Sequence, residues 1–260
     1  MDNLPLIIIL DVDGTMIGNV VPQLNLYELK NSGVNLKFTN KDMFNRLEAG
    51  LIRPYFDSFV KQLKRRIPHV EFFIYTASED KWANNLINLI EKHMSFKFNR
   101  PLFTRKHCTY IPEKGMQKSL SRITPMISRA LQRKYGKFNL TNRIMMIDNK
   151  TNFDDLSNVM VCPTYNHTYV ENLPAMIDEA MFDRYKYQIC KKLKYTPSNY
   201  IQFQKAFYTS YIDALDKYMP PQDRFWFFLS RLLEIKNITV FTKKNIQYIN
   251  HKLSKRLTQT

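Results

Sequence analysis

An apolar run that ends in two acids constrains this sequence more than any other feature. Residues 4–10 are apolar throughout, and Asp11 and Asp13 follow at once, ahead of Gly14 and Thr15. A strand inside a parallel sheet is covered on both faces, so it is a continuous apolar run. Ligands of open α/β sheets bind at the carboxyl ends of the strands. The run therefore predicts a buried strand, with a bound divalent cation near the two carboxylates and one of them available as a nucleophile.

Two further predicted strands also end in polar residues. The strand at 70–75 leads to Thr76, and the strand at 143–147 stops at Asp148-Asn149. Apolar residues with helical spacing lie between the strands, at 54–66, after a capping Ser78, and at 125–135. This alternation predicts an α/β fold with a right-handed parallel sheet flanked by helices. The three polar strand ends are then expected side by side at one edge of the sheet.

Magnesium and a phosphate both suit such an edge. Clustered carboxylates supply the oxygen ligands that Mg²⁺ prefers, and helix N-termini supply N–H groups for an anion. Lys118 lies between the second and third predicted strands and is expected to compensate the charge of the acids and the phosphate. Residues 16–40 mix short apolar stretches with turn formers, which predicts a flap or hairpin beside the site.

The positive charge of the chain favours anionic partners. Lys and Arg number 39 against 23 Asp and Glu, which gives a net charge of +16. From about residue 174 the pattern is mainly helical, so we predict a catalytic domain at 1–177 and a basic helical extension at 178–260. The aromatic run at 225–228 is expected to pack this extension onto the catalytic domain.

Composition also bounds the compartment. No apolar stretch approaches the roughly 20 residues that span a bilayer, and the N-terminal run lacks the basic flank of a secretory signal. The three cysteines Cys108, Cys162 and Cys190 lack zinc-ligand spacing and are expected to be reduced. The sequence therefore predicts an intracellular protein, in cytoplasm or nucleus, with no membrane partner.

At this point the motifs resemble a known family. Asp11-Val12-Asp13-Gly14-Thr15, Thr76, Lys118 and Asp148-Asn149 resemble the four ordered motifs of the haloacid dehalogenase superfamily of phosphohydrolases, over residues 4–180. More narrowly, the chain resembles the NLI-interacting-factor group, which dephosphorylates the C-terminal domain of RNA polymerase II. That narrower likeness lies in Arg53-Pro54, Tyr75-Thr76-Ala77-Ser78 with Lys81, and Ile147-Asp148-Asn149.

Two positions depart from that narrower group. Gly14 stands where the group often has Glu, as in the superfamily at large. Lys150-Thr151 follow the Asp-Asn pair, where Ser and Pro are common. The Asp-Asn pair itself is the sharpest marker of the group, since many other superfamily members have two acids there.

The resemblance implies a role for each motif residue in a Rossmann-like fold. Asp11 would attack phosphorus and form an aspartyl-phosphate, and Asp13 would protonate the leaving oxygen and then activate water. The implied Mg²⁺ ligands are the Asp11 carboxylate, the Asp13 backbone carbonyl and Asn149, with Asp148 in support. Thr76 and Lys118 would hold the phosphoryl oxygens, with Lys114 and Lys106 as alternatives to Lys118.

The spacing of the motifs bears on substrate size. Superfamily members that act on small metabolites usually insert a cap domain between motifs, and the gaps here, 12–75 and 77–117, are too short for a large one. An uncovered site suits a phosphorylated protein segment. The sequence therefore predicts a Mg²⁺-dependent phosphoserine/phosphothreonine protein phosphatase without a large cap.

Two other functions remain open at this stage. One is a virion or nucleocapsid assembly protein that keeps the fold and binds through the basic C-terminal region. Viral relatives of the group, of the baculovirus 38K type, share this general shape. Its partners would be nucleic acid or nucleocapsid proteins. The other is a nucleic-acid 3′-phosphatase, which the positive charge favours and the Asp-Asn pair disfavours.

Overall fold

The computed structural model describes residues 4–217, 222–235 and 240–257. In these ranges the strands are β1 (Leu6–Leu10), β2 (Val70–Ile74), β3 (Thr109–Ile111), β4 (Gly115–Gln117), β5 (Ile144–Asp148) and β6 (Val159–Val161). The helices are α1 (Val21–Asn31), α2 (Asn40–Arg46), α3 (Phe56–Arg66), α4 (Asp80–Met94), α5 (Leu120–Tyr135), α6 (Leu173–Met176), α7 (Glu179–Leu193), α8 (Tyr200–Asp216), α9 (Phe225–Ile235) and α10 (Lys243–Leu257). The predicted alternation of strands and helices is confirmed.

A parallel sheet in the order β2-β1-β5-β6 forms the core of the fold. The apolar run that dominates the sequence becomes β1, and Leu10 pairs with Ile74 on one side and Ile147 on the other. Every residue of β1, β2 and β5 is buried, which explains why these strands show no polar alternation. Because the strands are parallel, their carboxyl ends share one edge of the sheet.

The segment predicted as a flap or hairpin at 16–40 contains a helix instead. Helix α1 has Pro22 in its first turn, where the missing N–H costs nothing. Its C-terminal end follows at Ser32, whose N–H is bonded to the Glu28 carbonyl, and Gly33 has a positive φ of 95°. The turn-forming residues at 31–33 therefore end a helix, and the hairpin prediction was wrong.

Contacts within the chain define two compact units. One contains the parallel sheet, in residues 4–18, 52–166, 222–235 and 240–257. The other comprises residues 19–51 and 167–217, with α1, α2, α6, α7 and α8. In this helical unit the buried Glu171 accepts hydrogen bonds from Gln23 at 2.7 Å and from Arg46 at 2.9 and 3.1 Å. The predicted domain boundary at residue 177 concerns which segments fold on their own, and it stays a prediction. Helices α9 and α10 belong to the unit that contains the sheet.

Helix α9 packs on the sheet-containing unit through its aromatic side chains. The Trp226 ring lies 4.9 Å from the ring of Phe56 and 4.7 Å from that of Phe59, centroid to centroid. Phe225 and Trp226 are fully buried. Within the aromatic run, Phe225 and Trp226 thus pack α9 onto the sheet-containing unit, as expected for this part of the predicted extension. Within the described ranges, no helix combines the length and apolar composition needed to cross a bilayer.

A buried carboxylate ties α4 to the segment that follows it. Glu91 accepts hydrogen bonds from the Phe98 N–H at 2.9 Å, from Lys97 at 2.9 Å and from both terminal nitrogens of Arg100 at 2.8 and 3.0 Å. Burial by itself raises the pKa of Glu91, but these hydrogen bonds more than offset it and hold the pKa below its usual 4.5. The ionised carboxylate is therefore part of the folded structure.

The Glu91→Gln variant is expected to lose about 2–3 kcal/mol of unfolding free energy at pH 7, because a neutral amide leaves Arg100 without its charged partner. Since folding lowers the pKa of Glu91, its contribution is present above pH 4.5 and disappears as the pH falls below that value. Thermal unfolding should therefore show a gap between wild type and variant that is wide at pH 7 and narrows below about pH 4.

The exposed pair of Arg231 and Glu234 offers the control. Its separation is 3.4 Å and both side chains are about half exposed. Glu234→Gln should change the unfolding free energy by less than about 0.5 kcal/mol. Equal losses in the two variants, or a gap for Glu91→Gln that does not depend on pH, would contradict the assignment.

Candidate active site

Three polar residues meet where the strands of the sheet end. Asp11 follows β1 and its N–H is bonded to the Ile147 carbonyl at 3.0 Å. Asp148 is the last residue of β5, and Thr76 comes two residues after β2. All three side chains are buried. The structure thus brings together the residues that the strand pattern placed at one edge.

Lys118 bridges the carboxylates of Asp11 and Asp148. Its Nζ lies 2.6 Å from Asp11 Oδ1 and 2.7 Å from Asp148 Oδ2. The Lys118 N–H donates to the Asn152 carbonyl at 3.0 Å, which fixes the backbone that presents the side chain. Among the three candidate lysines, Lys118 is the one whose ammonium contacts both Asp11 and Asp148. Lys106 pairs with Asp80, and Lys114 is exposed.

The charges in this cluster shift one another's protonation. Burial alone would lower the pKa of Lys118, but Asp11 and Asp148 raise it above its ordinary value, so the ammonium stays charged. Burial, followed by the neighbouring charge of Asp11, raises the pKa of Asp148. Two carboxylates thus share one ammonium, and a further cation would be accommodated electrostatically.

The carboxyl group of Asp13 has a raised pKa. Burial, and next the charge of Asp11, raise the pKa of Asp13 to about 6. Ser78 Oγ donates to Asp13 Oδ2 at 3.0 Å, while Oδ1 is buried and accepts no hydrogen bond from the described residues. Ser78 was expected to cap α4, but that helix starts one residue later, with Glu79 at the N-cap. The Thr76 hydroxyl accepts the Ser78 N–H at 3.1 Å, which helps to place Ser78.

A threonine hydroxyl connects the first and last motifs. Thr15 Oγ1 lies 3.2 Å from Asp11 Oδ2 and 3.3 Å from Asn149 Oδ1, and it accepts the Asn149 N–H at 3.1 Å. Gly14 fits this close approach, because a Cβ there would stand 2.4 Å from Asn149 Nδ2 and the residue has a φ of +78°. In the sequence, Thr15 lies within the first motif but has no predicted role. The hydroxyl between Asp11 and Asn149 was found only in the structure.

The three acids and Lys118 line a cavity of about 450 Å³. Its walls combine the acids Asp11, Asp13 and Asp148 with Thr76, Ser78, Lys118 and Asn149, and with the cations Arg105, Lys114 and Lys150. Lys150 donates its backbone N–H to Asp148 Oδ1 at 2.7 Å, which fixes the residue beside the cluster while its side chain stays exposed. The arrangement therefore places three carboxyl groups and several cations around one cavity.

A comparison with protein families decides the assignment. The sequence model of the NLI interacting factor-like phosphatases matches residues 6–173, which include every candidate catalytic residue. The chain belongs to the NLI interacting factor-like phosphatase family. The predicted haloacid dehalogenase fold and the predicted enzyme class, a phosphoric monoester hydrolase, are those of this family.

Solved structures similar to this family member include two of an RNA polymerase II CTD phosphatase. One is an arginine-to-alanine variant of fission yeast Fcp1 bound to beryllium fluoride, with 16% identity and a TM-score of 0.48. The other is Fcp1, an essential RNA polymerase II CTD phosphatase, with 17% identity and a TM-score of 0.47. Each alignment covers 90% of this chain and 62% of the other. A search of curated protein sequences finds no match.

The oxygen atoms that could bind a metal in this NLI interacting factor-like phosphatase come from different kinds of side chain. Within the described ranges, no group of three or more His, Cys, Asp and Glu side chains has the arrangement of a metal site. The oxygens that converge near Asp11 come instead from two side-chain types, the Asp11 carboxylate and the Asn149 amide, around the Thr15 hydroxyl.

Proposed function

We propose that this chain is a Mg²⁺-dependent phosphatase that removes phosphate from phosphoserine or phosphothreonine in proteins, with Asp11 as the nucleophile. The observation that carries the proposal is the setting of Asp11. One carboxylate oxygen is bonded to Lys118 and the other to Thr15, and Asp11 and Lys118 line a cavity that Asp13 also lines. A carboxylate held at both oxygens has a defined orientation toward a bound phosphate.

The residues present fit a magnesium ion. Mg²⁺ prefers carboxylate and amide oxygens, and Asp11 and Asn149 offer both within hydrogen-bond distance of one hydroxyl. Asp13 Oδ1 is buried and has no partner among the described residues, so it is an unsatisfied acceptor that a nearby cation would stabilise. The proposed ligands are the Asp11 carboxylate, the Asp13 backbone carbonyl and Asn149, with Asp148 in support. When bound, Mg²⁺ would neutralise developing charge and orient the phosphoryl group.

In the first step, the Asp11 carboxylate attacks phosphorus while the bond from phosphorus to the serine or threonine oxygen breaks. Asp13 donates its proton to that oxygen, and its pKa of about 6 supports this role because it keeps part of the population protonated near neutral pH. Lys118 and Thr76 hold the phosphoryl oxygens. The products are the free hydroxyl and an aspartyl-phosphate at Asp11.

In the second step, the Asp13 carboxylate takes a proton from water, and the resulting oxygen attacks phosphorus. The bond between phosphorus and Asp11 breaks, which returns the Asp11 carboxylate and releases phosphate. Asp13 ends the cycle protonated, as it began. One side chain therefore acts as acid and then as base.

The cavity walls support an anionic protein segment as substrate. Arg105, Lys114 and Lys150 add three cations to the wall, although the Arg105 guanidinium is already paired with Glu79 at 2.9 Å. Lys114 and Lys150 are exposed, so their charges would attract parts of the substrate that lie outside the cavity. The terminal phosphate of a nucleic acid would contact the same cations. The role as a virion assembly protein and the intracellular location stay predictions.

Cation dependence and substrate class can be measured together. We expect the full-length protein to hydrolyse a phosphoserine peptide with Mg²⁺, to lose at least about 100-fold in rate with EDTA, and to recover when Mg²⁺ is restored. A 3′-phosphorylated oligonucleotide of equal charge should be at least about tenfold poorer in kcat/KM. A better rate with the oligonucleotide would favour the nucleic-acid 3′-phosphatase. No turnover of peptide, oligonucleotide or aryl phosphate would favour the assembly protein.

A further inference from the structure

A buried arginine outside the catalytic set joins the C-terminal segment to the active-site loop. Arg53 is entirely buried, and its Nε and Nη2 lie 2.9 and 2.8 Å from the two carboxylate oxygens of Asp223. A buried guanidinium needs such a partner, because the cost of removing it from water is otherwise not offset. The two parallel hydrogen bonds also fix the plane of the guanidinium.

Two other contacts of Arg53 lie on the loop that follows β1, and a third is made with Cys162, directly after β6. Its N–H donates to the Met16 carbonyl at 2.9 Å, and its Nη1 lies 3.4 Å from the Thr15 carbonyl and 3.7 Å from Cys162 Sγ. Thr15 is the residue whose hydroxyl stands between Asp11 and Asn149. A continuous series of contacts therefore runs from Asp223 through Arg53 and Thr15 to the proposed nucleophile.

Asp223 is itself held by the start of α9. Its Oδ1 accepts the Phe225 N–H at 3.0 Å, and the Phe225 ring lies 4.6 Å from the Arg53 guanidinium carbon, on the side of the ring face. The segment is also held by Trp226 against the rings of Phe56 and Phe59, a contact that involves no charge. Loss of the Asp223 carboxylate should therefore leave α9 docked.

We infer that Asp223 is a positioning residue for the active site, which orients Thr15, and through it Asp11 and Asn149, by fixing Arg53. The inference rests on the proposed function, which supplies both of its readouts, turnover and Mg²⁺ binding. Asp223 lies beyond the residues 6–173 that match the family, so this chain completes its active-site loop with its own C-terminal segment. Without the carboxylate, Arg53 would turn to the Thr15 carbonyl and Cys162, the acceptors that remain within reach.

The test compares Asp223→Asn with a control that loosens α9 without touching Arg53. In Asp223→Asn we expect kcat for an aryl phosphate to fall about 10- to 100-fold, with KM within about threefold, because small displacements of reacting groups cost this much. Mg²⁺ binding should also raise the unfolding temperature, and in Asp223→Asn half of that rise should require at least about fivefold more Mg²⁺ than in wild type. This readout needs no turnover.

Two further variants separate positioning from stability. Trp226→Leu should lower the unfolding temperature at least as much as Asp223→Asn, with kcat and Mg²⁺ half-saturation within about twofold of wild type. Asp223→Glu, which keeps the carboxylate, should recover most of the loss in both readouts. Equal kcat in wild type and Asp223→Asn, or equal losses in Asp223→Asn and Trp226→Leu, would overturn the inference. If wild type shows no turnover, the proposed phosphatase activity fails, and the Mg²⁺ half-saturation alone decides this inference.

Discussion

Replacing Asp11 with Asn is expected to lower kcat by about four orders of magnitude or more, because the amide is not a nucleophile that can form the aspartyl-phosphate. The amide keeps the shape of the carboxylate and can still accept the Thr15 hydroxyl. The measurement is turnover of an aryl phosphate in saturating Mg²⁺, with thermal unfolding as a check on the fold. Lys118 keeps Asp148 as its partner at 2.7 Å, so the metal-free variant should still fold.

The matched control is Asp155→Asn, the same chemical change on an exposed loop. Asp155 is exposed and its carboxylate accepts the Ser157 N–H at 2.9 Å. Its activity should remain within about twofold of wild type, because exposed side chains away from the site have small effects. An Asp11→Asn variant that keeps more than about 1% of wild-type kcat would contradict a nucleophilic role.

Replacing Asp13 with Asn should produce an effect that depends on the leaving group. For a phosphoserine peptide, whose alkoxide needs a proton as it departs, kcat/KM is expected to fall about 10²- to 10⁴-fold. For an aryl phosphate with a nitro-substituted phenol, the leaving group needs no proton, so kcat/KM should fall less than about tenfold. The comparison isolates the acid role, because kcat/KM reports the steps up to the first irreversible one.

Ser78→Ala provides the control for Asp13. It removes the hydrogen bond to Asp13 Oδ2 but leaves the carboxyl group in place. We expect losses below about tenfold that are similar for both substrates, the cost of one hydrogen bond. Equal losses with both substrates in Asp13→Asn would mean that Asp13 is not the general acid.

The fold and the site differ in how far local patterns determine them. The strands β1, β2 and β5 were predictable because each is buried on both faces and is therefore mostly apolar, with Glu71 as the polar exception inside β2. Parallel pairing then fixed which residues meet at the sheet edge, so Asp11, Thr76 and Asp148 followed. Helix α1 was missed because its buried face includes a polar residue, Gln23, and because Ser32-Gly33 suits a hairpin turn as well as a helix end.

Long-range side-chain pairing could not be predicted from the sequence. Arg53 and Asp223 are 170 positions apart, and no spacing rule links an arginine before one helix with an aspartate before another. Ser78 was given a capping role, since a serine before an apolar helical pattern is typical of an N-cap. In the structure Glu79 takes that position, and Ser78 is left to bond Asp13.

The division of roles between Asp11 and Asp13 is tested most directly by a pre-steady-state experiment on Asp13→Asn. Mixed with the nitro-substituted aryl phosphate and Mg²⁺, this variant should release about one equivalent of phenol per active site and then nearly stop, because it lacks the base that activates water. Mass spectrometry of the acid-quenched protein should place the phosphoryl group on Asp11. A linear time course without a burst, or a phosphoryl group on another residue, would contradict the account.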